Sequence, residues 1–111
     1  ASMLFGSVLE LEEFVKKSMC LQCELIKLDV FFHRARKGTC SGTLLWMYND
    51  MWPCGTWAII DYYLEPKASY YAAKAAFAPV TAFITENENK TAAHVVNDTR
   101  NNIKGTRRYI I

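Results

Sequence analysis

The residues with the most chemical promise lie together, in the stretch from Trp46 to Asp61. An apolar run, residues 42–48, ends in Asn49 and Asp50. A segment carrying Pro53 and Gly55 follows, so it is expected to be a loop. That loop holds two large aromatics, Trp52 and Trp57. An indole offers a flat apolar face and one N–H donor. A sugar ring offers apolar C–H faces edged by hydroxyls. An aromatic floor beside Asn and Asp is therefore a sensible carbohydrate subsite. The competing reading is that these aromatics only plug one end of the fold. Hydrolysis with retention would need two carboxyl groups about 5–5.5 Å apart. Asp50 and Asp61 flank a loop of ten residues, and nothing in their spacing forces them together. Glu65 lies beyond them, and Glu10, Glu12, Glu13 and Glu24 belong to a helical stretch. No catalytic carboxylate pair is legible.

Other reactive residues fall into no recognisable constellation. Cys20 and Cys23 form a CxxC, but inside a helical pattern rather than at a helix start, where a thiolate would be stabilised. Cys40 and Cys54 are single and scattered, so a zinc site lacks its second pair. His33 and His94 have no Ser or Cys partner at an informative spacing. No metal and no cofactor is expected. The net charge is +2, from 13 basic and 11 acidic residues, and that balance argues against nucleic acid as a partner. The basic run Arg34, Arg36 and Lys37 reads as a solvated helix end. No segment approaches the ~20 apolar residues of a membrane helix, so no membrane partner is expected. Asn97 and Asn89 each open a glycosylation-type triplet, a pattern short enough to arise by chance.

The elements that must position the aromatic loop are readable from periodicity. Residues 8–33 read as one long helix. Leu11, Val15, Met19, Ile26 and Val30 recur at spacings of four and seven, and Phe14, Leu21, Leu25, Leu28 and Phe32 widen the stripe. Ser7 is the expected cap and Gly38 the expected stop. Residues 42–48 do not alternate, which fits a strand buried on both faces, as in a parallel sheet. Pro66 is expected in the first turn of a second helix over residues 67–78, stopped by Pro79. The period then shifts to two. Residues 80–86, 91–96 and 104–111 read as three antiparallel strands. The fold class is mixed α+β: the end of an α/β domain followed by the start of a β-sandwich, with the boundary near Pro79. The chain is 51% hydrophobic and 14% aromatic over only 111 residues. So large an apolar load is expected to leave surfaces meant for covering.

Those motifs carry a family resemblance. GTLLWMYNDMWPCGTW (42–57) and IDYYLEPKASYYAAK (60–74) resemble the β-mannosidase branch of family 2 glycoside hydrolases. There the last barrel strand reads much like G-x-L-x-W-x-x-N-D-x-W-P, followed by a P-K-x-x-Y-Y-A helix ending in F-A-P-V. FAPV (77–80) is similar to that end, and VNDT (96–99) resembles the opening of the next sandwich-like domain. The resemblance spans most of the chain, and the N-D-x-W-P and P-K-x-x-Y-Y runs carry its specificity.

The resemblance implies a parent enzyme that removes terminal β-mannose, or a related β-sugar, with retention. It implies two catalytic Glu on barrel strands earlier than this chain, so no residue here is assigned as catalytic. It implies the last helix-strand-helix unit of a TIM barrel over residues 1–79 and a truncated immunoglobulin-like β-sandwich over 80–111. It implies that Trp52, Asn49 and Asp50 bind substrate, Trp52 helping to floor the terminal-sugar subsite and Asn49 and Asp50 ordering its rim and reaching sugar hydroxyls or the catalytic carboxylates, and that Trp57 and Asp61 support the loop. The implied partners are carbohydrate and the remainder of the barrel. Alone, the chain is expected to be inactive and to expose the sheet-facing stripe of its first helix, with self-association as one outlet. Two other readings stand beside this one: a non-catalytic carbohydrate-binding module, and a purely structural or assembly fragment.

Overall fold

The structure, a computed structural model, describes residues 10–87 and 90–106. Helix α1 spans Leu11–Ala35 and helix α2 spans Ala68–Ala76. Strands β1 (Val80–Asn87) and β2 (Lys90–Asn97) close an antiparallel hairpin in which Val80 pairs with Asn97 and Glu86 with Thr91. The chain is mixed α+β, consistent with the end of a TIM barrel followed by a small antiparallel sheet segment.

Helix α1 forms where the 3.6-residue period is strongest. Glu12 and Glu13 lie in its first turn and His33 and Arg34 in its last, the order the helix dipole favours. Its N-cap is Glu10, with no capping side chain; the expected cap, Ser7, lies outside the described residues. The helix runs two residues past the expected end at His33. Gly38 follows it with φ of 104°, a left-handed conformation that costs glycine nothing. Helix α2 is shorter than expected. Lys67 is its N-cap, so Pro66 stands just ahead of the helix rather than in its first turn.

The apolar run 42–48 departs from expectation most clearly. No strand ladder forms there among the described residues. One isolated parallel bridge, Asn49 with Ile60, lies just beyond the segment, and Leu44 and Trp46 within it are 97% and 86% exposed. The physical reason is that a strand buried on both faces exists only between neighbours that take up its N–H and C=O groups, and here no flanking strand does so. The Trp46–Met47 peptide is cis. Of the third expected strand, residues 104–106 are irregular and the rest, 107–111, lies outside the described residues.

The core is small. Val30 on α1, Ala73 and Ala76 on α2, and Ala58 and Ile59 between them are buried, and the alanines allow close backbone approach. The inner face of the hairpin adds Phe83 and Val96. Phe83 stacks on Phe31 of α1, with ring centroids 4.3 Å apart, and docks the hairpin on the helix. Much of the α1 stripe stays bare: Leu11, Phe14, Val15, Leu25, Leu28 and Phe32 are exposed, as the sequence implies. The accessible surface is 9249 Å², where mass scaling gives about 6,200 Å² for a compact 12.7 kDa monomer. The radius of gyration is 16.5 Å, against about 13 Å for a compact domain of 100 residues.

The basic run at the end of α1 is solvated only in part: Arg36 and Lys37 are exposed, whereas Arg34 is not. Arg34 is buried, its Nη1 donating to Ala76 O at the end of α2 and its Nη2 to Asp98 Oδ2 at 2.7 Å. Lys37 Nζ reaches Asp98 Oδ1 at 2.6 Å and Asn97 O at 2.7 Å. These residues are pinned because α2 and the hairpin both converge on that helix end.

Candidate functional site

The loop between Asp50 and Asp61 is closed at its base by backbone hydrogen bonds. Ile60 N donates to Tyr48 O at 3.1 Å, and Asp50 N donates to Ile60 O at 3.0 Å. This bridge brings the two ends of the loop together, which spacing alone left open. Lys67 N then donates to Ile59 O at 2.9 Å, tying the cap of α2 to the same base.

Asp50 is 2% exposed, and both of its carboxylate oxygens are occupied. Lys67 Nζ donates to Oδ2 at 2.6 Å, and Thr56 Oγ1 donates to Oδ1. Hydrogen bonds from Lys67 and Thr56 hold the carboxyl below the usual carboxylate range, against burial that pushes it up. The charge is thus fixed inside the loop base rather than presented at the rim. Asn49 Nδ2 donates to Asp50 O at 3.2 Å, and its side chain is exposed beside the bridge.

Trp52 and Trp57 are 63% and 75% exposed, and neither ring stacks on another aromatic among the described residues. Their backbone is held instead. Cys54 Sγ donates to Trp52 O at 3.2 Å. Gln22 Nε2, from α1, donates to Trp57 O at 2.9 Å and to Ala58 O at 3.3 Å. Asp61 organises the turn that leads to α2. Its Oδ1 accepts from Glu65 N at 2.9 Å, its N–H donates to Glu65 O at 3.0 Å, and Leu64 inside the turn takes a left-handed φ of 65°.

Three residues of this arrangement escape sequence reasoning: Lys67, Thr56 and Gln22. Lys67 enters the sequence reading only as the Lys of the P-K-x-x-Y-Y run, with no role of its own. Only the three-dimensional closure places its ammonium 17 positions back, on Asp50. Gln22 carries one faint signal, a polar residue on a helix stripe that is otherwise apolar.

The four cysteines are free, and burial pushes the Cys23 thiol up, the opposite of a redox-active CxxC. Among the described residues no group of three His, Cys, Asp or Glu side chains could hold a metal ion, and no helix is long and apolar enough to cross a membrane.

Comparison with known proteins gives the arrangement a context. No protein-family model matches the chain. It is 50% identical over 46 residues to β-mannosidase B of Thermothelomyces thermophilus, covering 41% of this chain and 5% of that one. It is 38% identical over 74 residues to β-mannosidase B of Aspergillus niger, covering 64% of this chain and 9% of that one. The crystal structure of the β-D-mannosidase from Dictyoglomus thermophilum superposes on 84% of this chain with a TM-score of 0.80 and 35% identity, and the match spans 12% of that protein. Over these stretches the chain is homologous to β-mannosidases, and it spans no more than about an eighth of the length of the relatives it matches.

Proposed function

We propose that this chain is a C-terminal segment of a family 2 glycoside hydrolase that removes terminal β-mannose, or a related β-linked sugar, with retention. In this reading residues 1–79 close the catalytic barrel and residues 80–111 begin a sandwich-like domain. Both catalytic Glu belong to earlier barrel strands, so the chain alone has no glycosidase activity. Its contribution is the rim: Trp52 as part of the terminal-sugar floor, Asn49 and Asp50 ordering it, Trp57 and Asp61 supporting the loop. The observation that carries the reading is the likeness to the Dictyoglomus enzyme, at 35% identity and a TM-score of 0.80. The bare stripe of α1 agrees with it, because a barrel helix turns such a face to strands contributed by the rest of the barrel.

The test has two arms. The purified 111-residue chain should release no more aryl alcohol from an aryl β-mannoside than a blank does. The complete protein that carries it should hydrolyse the same substrate, with the first-formed sugar in the β configuration by proton NMR. Hydrolysis by the isolated chain, or an inverted product from the complete protein, would overturn the proposal. The exposure of Trp52 and Trp57 favours one alternative, a sugar-binding platform without chemistry. Quenching of their fluorescence by mannobiose, with no hydrolysis by the complete protein, would select it.

A further inference from the structure

We propose that Lys67 is a positioning residue for the aromatic loop: it acts through Asp50 and Thr56 to hold Trp52 in the place where a sugar ring would lie. The proposal rests on the glycosidase reading above and adds to it a residue that never touches substrate.

The argument begins with how the two indoles are held. They are mostly in solvent, so packing of their rings cannot fix them. Whatever orders them must act through the loop backbone. The bridge between residues 48–50 and Ile60 closes the base of the loop and Gln22 holds its far side at Trp57 and Ala58, but neither reaches the stretch that carries Trp52. One cross-brace spans that stretch. Thr56 Oγ1 donates to one oxygen of Asp50, and Lys67 Nζ donates to the other at 2.6 Å. The same ammonium lies 3.5 Å from Thr56 O. Lys67 therefore engages the loop where it begins, at Asp50, and near its middle, at Thr56. Its own main chain is anchored twice, by N–H donation to Ile59 O and by its place as the N-cap of α2.

The brace is also sheltered from water. The Lys67 side chain is largely buried and that of Asp50 almost wholly so. Exposed ion pairs are screened and hold geometry poorly. A desolvated, charge-assisted pair at this distance is short and directional. Removing the ammonium would leave a carboxylate buried with only a hydroxyl for company, and such a group draws in water or turns outward. Either response moves Thr56 and slackens the segment that carries Trp52. Binding sites depend on side chains held to within about 0.5 Å by supporting contacts, so this slackening should be visible in substrate recognition.

The experiment uses two preparations. In the 111-residue chain with W46F and W57F, Trp52 is the sole indole. Lys67→Met should enlarge the fast component of its fluorescence anisotropy decay, and Lys67→Arg should restore the slow decay. In the complete protein, Lys67→Met should raise KM for an aryl β-mannoside about tenfold, more than it lowers kcat, with Lys67→Arg recovering most of the loss. A merely structural role would lower the active fraction, and hence kcat, with KM unmoved. Unchanged anisotropy, or a fall in kcat alone, overturns the proposal. Should the complete protein lack β-mannosidase activity, the glycosidase reading falls and the anisotropy arm alone decides whether Lys67 holds Trp52. Where Lys67→Met does not fold, Thr56→Val removes the other tie to Asp50 and must shift anisotropy in the same direction for the proposal to stand.

Discussion

Replacing Arg34 by methionine should loosen the joint between α1, α2 and the hairpin by about 1–2 kcal/mol. Methionine keeps an aliphatic stem of similar length and removes every donor. Two contacts disappear. The bond to Ala76 O is the costly one: Ala76 is fully buried, so its carbonyl would lose its partner out of reach of water, a penalty of about 1–3 kcal/mol. The pair with Asp98 is worth less, because the Asp98 side chain is 45% exposed and keeps Lys37 at 2.6 Å. Its share is about 0–1 kcal/mol. Some of the loss is returned, since Arg34 Nε is buried without a partner and methionine removes that unmet donor. Asp98→Asn breaks two ion pairs, yet should cost under about 1 kcal/mol, because Lys37 and the Asp98 carboxylate see water and an Asn oxygen can still accept from Arg34 Nη2. Burial, rather than the number of ion pairs, therefore sets the order. Native-state hydrogen exchange measures it directly. Protection of the amides in the last turn of α2 should fall about 5- to 30-fold in the Arg34 variant, and less in the Asp98 variant. Equal protection in Arg34→Met and wild type, or a larger loss in Asp98→Asn, would refute this reasoning.

Two further outcomes are expected. The Asp98 carboxyl is held below its usual range by the hydrogen bond from Lys37, helped by the nearby Arg34 charge and opposed by burial. A carboxyl whose folded pKa is depressed contributes stability that is complete above the unfolded value, about 3.9, and lost as pH falls through the folded one. Carbon-detected NMR titration should place the Asp98 midpoint below that value, and Lys37→Met should move it upward. Phe83→Ala removes the buried ring that stacks between Phe31 and His94, at a cost of about 3–5 kcal/mol. The hairpin should undock, seen as loss of aromatic near-UV dichroism with the far-UV signal of α1 retained. Retained near-UV dichroism would show that the stack does not hold the hairpin.

The helices and the hairpin are legible because their signals are local. The α1 stripe repeats every few residues, and the alternation of residues 80–97 declares two strands and a turn. The segment 42–48 reads as a buried strand for a sound reason, since its composition suits burial on both faces. A strand is a property of pairs, however, and its pairing partners cannot be read from the segment itself. The site divides in the same way. Trp52 and Trp57 stand out by residue type within a loop, whereas Asp50 draws notice as a rim carboxylate and lies buried instead. Its burial depends on Lys67 and Thr56, whose spacings of 17 and six positions match no regular period. The pinning of Arg34 is invisible for the same cause: Asp98 is 64 positions away.

The short helix α2 is gripped at both ends by side chains. Arg34 takes its last carbonyl, at Ala76, and Lys67 at its N-cap takes Asp50. Nine residues span about 13.5 Å at 1.5 Å each. Adding or deleting a single residue would change that span by about 1.5 Å and turn one end about 100° against the other. Both grips could not then be satisfied together. Length in α2 is therefore a quantised variable, and this stretch of the chain should tolerate substitution on its outer face far better than any insertion or deletion.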